Sequence, residues 1–399
     1  MVGIIKGIWE LSLRYIFSAF DLFPSPKGAA THIASSVTGM ARHFGSANLL
    51  CLGNAGYPAV QQEGDVRIRR CLAHHPNFLR RTLFFGRFVR DALDETRSSP
   101  ELIHFRDIWS GVPLCDHDRT RDAKKIFEVN GLPSIELAYH YPGLLNNHRL
   151  LDRFRRWEDR LLEQADQVVT VSEVSRRLLH GRGVPADRLT VIPNCAPIAE
   201  HPCSSKEPYI LYVGTLAPWQ GVGTLIRAMR LLKEECGIGC RIVASTRKHL
   251  KPTRKLIRKL GLDERISIRV SLERSEVAKL YRRALCSVAP LSRCDRNELQ
   301  GCSPLKILES MGQGTPVAAA DLPVTREMIT DGRDGRLFTP DSPRSLADAL
   351  LWLLSSRERL DAISIHAMET IEERFGESNF HARLRTLYND IRLRGRYGH

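Results

Sequence analysis

Short apolar runs alternate with helical periods along this chain, in two successive blocks. A short apolar run bounded by turn residues reads as a strand buried on both faces. An apolar stripe recurring every three or four residues reads as a helix that covers it. In the first block the strands are RYIFSAF (14–20), ANLLCLG (47–53), LIHFRDI (102–108), KKIFEV (124–129) and QVVTVS (167–172), with helices over 28–43, 78–97, 147–164 and 173–181. In the second they are YILYVGT (209–215), CRIVAS (240–245), ISIRVS (266–271), CSVAPL (286–291) and PVAAAD (316–321), with helices over 221–235, 251–260, 274–284, 303–313 and 343–354. A strand that must cross over a helix to reach its neighbour pairs with it in parallel. Two such blocks predict an α/β protein of two doubly wound, Rossmann-like domains facing across a cleft.

The Pro- and Ser-rich stretch Asn194–Pro208 reads as the connection between them. The expected division is a first domain over 1–199, a linker over 200–207, a second domain over 208–375 and a tail over 376–399. At 399 residues the chain is too long for one ordinary core, which agrees with two domains. No run approaches the length of a membrane span. The first twenty residues look like a signal peptide, but Glu10 and Arg14 interrupt the apolar stretch, so residues 1–13 read as an extra leader. Ten cysteines occur without a CxxC pair, and Cys51 and Cys286 fall within apolar runs. That usage suits a reducing cytoplasm and gives no metal framework.

Net charge is +14, with about +4 before residue 201 and about +10 after it. Nucleic acid, an anionic membrane surface or a charged small substrate would each account for it. Basic residues without interleaved aromatics, in a chain of 7% aromatic content, argue against nucleic acid.

The densest chemistry lies in ELQGCSPLKILESMGQGTPVAAAD (298–321). Ser303 reads as a helix cap, Pro304 as the first helical residue and Gly314 as the stop. Lys306 and Glu309 fall on one face of the first turns. A lysine there opposes the helix dipole, and a phosphate anion would resolve the conflict. Glu309 would then accept hydrogen bonds from a ribose. Taken alone, the two residues read equally well as a solvated ion pair worth ~0.3–0.5 kcal/mol.

Open parallel sheets bind ligands at the carboxyl ends of their strands. Candidates at those ends are Gly28, Arg106, Asp107, Glu128, Asn130, Thr215, Gln220, Arg247, Lys248, Arg293 and Arg296. Glu136 follows soon after the fourth strand.

Four stretches together give a resemblance: VVTVSEVSRRLL with VPADRLTVIPN, PYILYVGTLAPWQGVGTLIRAMRLL, SPLKILESMGQGTPVAAADLP with REMITDGRDGRLFTPDSPRSLADAL, and ERFGESNFHARLRTLY. Over roughly 14–390 the chain resembles a retaining nucleotide-sugar glycosyltransferase of the GT-B fold, similar to glycosyltransferase family 4, in a branch with an SPLK-type donor helix. The resemblance implies a tail that crosses back to the first domain. It implies that Glu309 binds the donor ribose and that Ser303, Leu305 and Lys306 lie near the diphosphate. Gly28 would approach the phosphates or the transferred sugar, and Arg106 falls where relatives carry a histidine near the reacting sugar. Catalytic roles therefore fall on Arg106, Lys306 and Glu309. Donor contacts fall on Gly28, Thr215, Gln220, Arg247, Lys248, Arg296, Ser303, Leu305, Lys306 and Glu309. Acceptor contacts fall on Asp107, Glu128, Asn130 and Glu136. Where the family has a further glutamate this chain has Gly301, and Thr215 and Gln220 replace a cationic pair.

The implied partners are a nucleoside-diphosphate sugar as co-substrate and a hydroxyl acceptor, with no metal, no other cofactor and no nucleic acid. The amphipathic stretch Asn77–Leu93 reads either as a helix packed on the first sheet or as a peripheral membrane contact for a lipid-linked acceptor. An inactive nucleotide-sugar-binding relative is the alternative, motivated by Gly301 and the Thr215/Gln220 replacements.

Overall fold

The computed structural model describes residues 13–25, 28–72, 75–144, 146–203, 205–232 and 237–394. The expected leader lies, but for Leu13, outside them. The first sheet holds β1 (Tyr15–Leu22), β2 (Ala47–Leu52), β3 (Val60–Glu63), β4 (Val66–Cys71), β5 (Leu102–Phe105), β6 (Lys124–Val129), β7 (Gln167–Thr170) and β8 (Leu189–Val191), in spatial order 3-4-2-1-5-6-7-8. The second holds β9 (Glu207–Gly214), β10 (Gly239–Ala244), β11 (Ile266–Val270), β12 (Ala284–Ala289), β13 (Val317–Ala320) and β14 (Arg336–Phe338), in order 11-10-9-12-13-14. Every pairing is parallel except β3 with β4.

The β3–β4 hairpin was not expected, because β4 reads VRIRRC and breaks the apolar pattern. Two of its arginines, Arg69 and Arg70, are buried with partners instead. Arg70 donates to the Phe23 and Pro58 carbonyls at 2.8 and 3.0 Å, and Arg69 pairs with Glu95 at 2.5 Å. Paired in this way, guanidinium groups tolerate burial.

The first domain carries α1 (Gly28–Phe44), α2 (Phe78–Asp94), α3 (Ile108–Cys115), α4 (Pro133–His140), α5 (His148–Gln164) and α6 (Glu173–Gly181). The second carries α7 (Val222–Leu232), α8 (Leu250–Lys259), α9 (Arg274–Arg283), α10 (Leu305–Gly312), α11 (Pro323–Arg326), α12 (Pro343–Leu354) and α13 (Arg357–Thr370). The last helix, α14 (Glu377–Arg394), returns to the first domain. Phe380, Leu384, Tyr388 and Ile391 join the core formed by α1 and one face of the first sheet. The other face packs on α2, α3 and α5.

Both sheets reverse their strand order at the first strand of their block. β1 lies between β2 and β5, and β9 between β10 and β12. The chain leaving such strands diverges to either side and opens a crevice at their carboxyl ends. The two crevices face one cavity. Among the described residues no helix is long and apolar enough to cross a membrane.

Candidate active site

A cavity of about 490 Å³ lies between the domains, within the range for small-molecule sites. The first domain contributes Gly28 and His32 from α1, Arg106 after β5, and Asn130 after β6. The second contributes Thr215 and Gln220 after β9, Arg274 opening α9, Arg296, and the run Ser303–Lys306 with Glu309.

Lys306 stands in the first turn of α10, half-buried on the cavity wall. Its Nζ lies 4.4 Å from the centre of the Tyr212 ring, donates to the Tyr212 hydroxyl at 3.3 Å, and donates to Gln220 Oε1. Burial without a full counter-charge pushes this ammonium down to about 7. Glu309 lies one turn on. Burial pushes its carboxyl up to about 7, against the pull of Arg274 and Lys306. A lysine and a glutamate are thus each held short of full ionisation beside an open cavity. A ligand that is anionic at one end and bears hydroxyls at the other would satisfy both.

Beneath the first-domain wall lies a buried carboxylate, Glu128, at the end of β6. His32 Nε2 is 2.6 Å away, Arg106 Nε 3.2 Å and His104 Nε2 3.2 Å, and Asn130 donates to the same group. Burial opposes its charge, but the two histidines and Arg106 outweigh burial and hold it well below the usual range. Arg106 also reaches Asp21 at 3.0 Å, and His104 Nδ1 meets the Tyr388 hydroxyl at 3.1 Å. The cluster fixes Arg106 and His32 where they face the cavity.

The structure therefore brings together Gly28, Arg106, Asn130, Thr215, Gln220, Arg296, Ser303, Leu305, Lys306 and Glu309. It corrects several of the expected roles. Ser303 does not cap α10; Pro304 occupies that position. Ser303 instead ties the domains together. Its Oγ accepts from the Asn194 backbone N–H at 3.1 Å and its carbonyl from Asn194 Nδ2 at 2.6 Å. Asp107 is not placed to bind an acceptor. It caps α3, accepting from the N–H groups of Ser110 and Phe20 at 2.8 Å each, and burial lifts its carboxyl to about 6 against those two donors. Glu128 is enclosed by its own cluster rather than presented to a ligand. Glu136 is engaged across the cleft with Arg296 and Gln300. Arg247 and Lys248 lie off the cavity wall: Ser245 takes the position after β10, and the two cations beyond it are exposed. Lys248 reaches the His140 carbonyl instead, at 3.4 Å.

Sequence reasoning missed His32, Asn194, Arg274 and Tyr281 on the wall. Arg274 was within reach of the rule used elsewhere, since it opens the helix that follows β11. His32 carried no local signal: it is one turn into a helix and matters only because β6 brings Glu128 beneath it. Among the described residues no group of three His, Cys, Asp or Glu side chains is placed to hold a metal ion.

Residues 27–195 match a family model described as Glycosyl transferase 4-like domain, and residues 198–370 one described as Glycosyl transferases group 1. Among curated proteins, a D-inositol 3-phosphate glycosyltransferase of Nocardia farcinica is 27% identical over 53% of this chain and 50% of its own length. One of Thermobispora bispora is 28% identical over 58% of each. The chain thus spans about half the length of the curated relatives it matches. Among solved structures, sucrose-phosphate synthase of Thermosynechococcus elongatus superposes with a TM-score of 0.77 at 18% identity, over 95% of this chain and 99% of that one. Anabaena HepE in complex with UDP-glucose gives 0.72 at 16%, over 94% and 99%. At such identities the likeness is one of fold: two Rossmann-like lobes in the GT-B arrangement.

Proposed function

Because this chain belongs to the glycosyltransferases that join a 4-like domain to a group 1 domain in the GT-B fold, we propose that it moves a sugar from a nucleoside-diphosphate sugar to a hydroxyl acceptor. The observation that carries the proposal is the pairing of Lys306 and Glu309 on one cavity wall, with Arg274 and Arg296 beside them. Lys306, Arg296 and the first turn of α10 receive the diphosphate, and Glu309 receives the ribose. These cations neutralise the phosphates, and the proposal includes no metal.

The reaction breaks the bond between the anomeric carbon and the diphosphate oxygen, and that oxygen takes the electron pair. Lys306 and the helix end stabilise the charge where it gathers. The acceptor oxygen forms the new bond from the leaving-group face, so configuration is retained, and its proton passes to a phosphate oxygen. Paired carboxylates of the hydrolase kind are then not needed. Arg106, His32 and Asn130 line the first-domain wall, where the sugar and acceptor meet, and Glu128 positions the first two. Glycan or glycoconjugate assembly is the setting this reaction fits.

A second reading is favoured by Gly301. Its φ of +82° and the closeness of Ser172 and Ser175 leave no room for the carboxylate that the family resemblance implies there. A protein that binds the donor without transferring it would tolerate that loss. Thermal shift against a panel of nucleotide sugars identifies the donor, and UDP-glucose enters first because the HepE neighbour was solved with it. NMR of the product with the donor so found reads the anomer. Binding without slow donor hydrolysis or transfer would support the second reading. No binding to any nucleotide sugar would end both.

A further inference from the structure

Helix α2 packs Phe85, Val89, Ala92 and Leu93 into the first-domain core and turns another face to solvent. That outer face is not wholly polar. Leu83 is 67% exposed, Leu79 48% and Phe84 38%, and these lie on one side of the helix with the exposed residues Arg80, Arg87 and Arg90. No acidic residue occurs between Phe78 and Arg90; the exposed Asp91 and Asp94 follow in the last turn, where Asp94 pairs with His117. Leu72, just upstream, is 41% exposed as well. A helix that already has its core stripe gains nothing in stability from two further exposed leucines and a phenylalanine.

The patch runs to the mouth of the cleft. Phe78, the first residue of α2, lies 5.8 Å from the ring of Tyr141, which is itself 42% exposed. Lys248 of the second domain has its Nζ 5.8 Å from the centre of the same Tyr141 ring. Farther along this layer, α5 exposes Arg149, Arg153, Arg155 and Arg156 beside Asp152 and Asp159.

We propose that this face seats on an anionic lipid bilayer. Leu79, Leu83 and Phe84 enter the interfacial region, and Arg80, Arg87 and Arg90 lie over acidic headgroups. Charge decides between a bilayer and a second copy. A two-fold pairing centred on Leu83 and Phe84 would bring Arg80 of one copy to Arg87 of the other, whereas an anionic surface matches both. Tyr141 and Lys248 then place the cleft mouth beside the membrane, where the hydroxyl acceptor would be lipid-linked. This last step rests on the transferase reading; the lipid contact does not, and it is measured with no sugar present.

The test is flotation of the whole chain with vesicles of phosphatidylcholine alone and of an equal mixture of phosphatidylcholine and phosphatidylglycerol. Binding is expected to the mixed vesicles only, weakening as salt is raised. Each of Arg80→Gln, Arg87→Gln and Arg90→Gln should weaken it about fivefold. Leu83→Glu should weaken it at least about tenfold, since it loses apolar insertion and adds repulsion. Leu83 is mostly exposed, so these variants should keep the wild-type melting midpoint, and Leu83→Ala provides a milder check. Absence from the anionic vesicles would overturn the proposal. So would flotation that none of the variants alters. A concentration-dependent dimer that Leu83→Glu dissociates would overturn it too, by assigning the face to a second copy.

Discussion

Glu136 Oε1 and Arg296 Nε meet at 3.0 Å across the cleft, one from each domain. Gln300 completes the tie, donating to Glu136 at 2.9 Å and accepting from the Leu132 N–H at 3.0 Å. Arg296 also forms part of the cavity wall, so a diphosphate would compete with Glu136 for it. The carboxylate holds the lobes together and keeps in place the cation proposed for the phosphates. Glu136→Ala is expected to cost the empty protein ~1–3 kcal/mol. The donor should raise the melting midpoint of the variant by more than it raises that of the wild type, because Arg296 then gains its missing partner. Equal shifts in the two proteins would show that Arg296 never meets the phosphates.

Glu309 is assigned to the ribose and Lys306 to the phosphates, and the two roles separate with simple probes. Glu309→Ala should weaken a nucleoside diphosphate by about 10- to 100-fold, the scale of a hydrogen bond to a charged group. It should leave inorganic pyrophosphate unaffected. Titration calorimetry with both ligands makes the comparison. Equal losses for the two would place Glu309 at the phosphates.

Proton uptake on donor binding should change sign near pH 7. In the empty protein Lys306 is depressed from 10.5 to about 7, so above that pH it is neutral, and an arriving diphosphate recharges it by taking up a proton. Glu309 is raised from 4.5 to about 7, so below that pH it is protonated, and ribose hydroxyls that favour the carboxylate release a proton. The same shifts set a stability trend. Lys306 costs the empty fold most below pH 7, and the cost fades as pH rises toward 10.5. Glu309 costs most above pH 7, and that cost fades as pH falls toward 4.5. Calorimetry in buffers of different ionisation enthalpy reads the uptake, and Lys306→Met should abolish it above pH 7 while sparing the release below.

Introducing the glutamate that the resemblance leads one to expect at position 301 should do harm. A Cβ at Gly301 would meet Ser172 Oγ and Ser175 Oγ at 2.6 Å and the Ser175 backbone nitrogen at 2.9 Å, and φ is +82°. Gly301→Glu is expected to cost ~1–3 kcal/mol through backbone strain alone. Turnover should fall with it. A variant with raised turnover and an unchanged melting midpoint would show that the segment rearranges freely.

The amino-acid order alone determined the two-block α/β plan, because strand and helix periods are local properties of consecutive residues. It also determined that Lys306 and Glu309 share a face, since three residues make about one turn of helix. The β3–β4 hairpin stayed hidden because its buried arginines depend on carbonyls and a carboxylate supplied by other segments. The identity of a neighbour from a distant segment was likewise out of reach. Ser303 looked like a cap, and Asn194 claimed its hydroxyl; Asp107 looked like a ligand contact, and its own helix consumed it. His32 joined the wall only because β6 carries Glu128 beneath α1, and Arg296 is steadied by a glutamate 160 positions earlier. Only the packed tertiary structure decides which polar groups spend their hydrogen bonds on the protein and which are left facing the cavity.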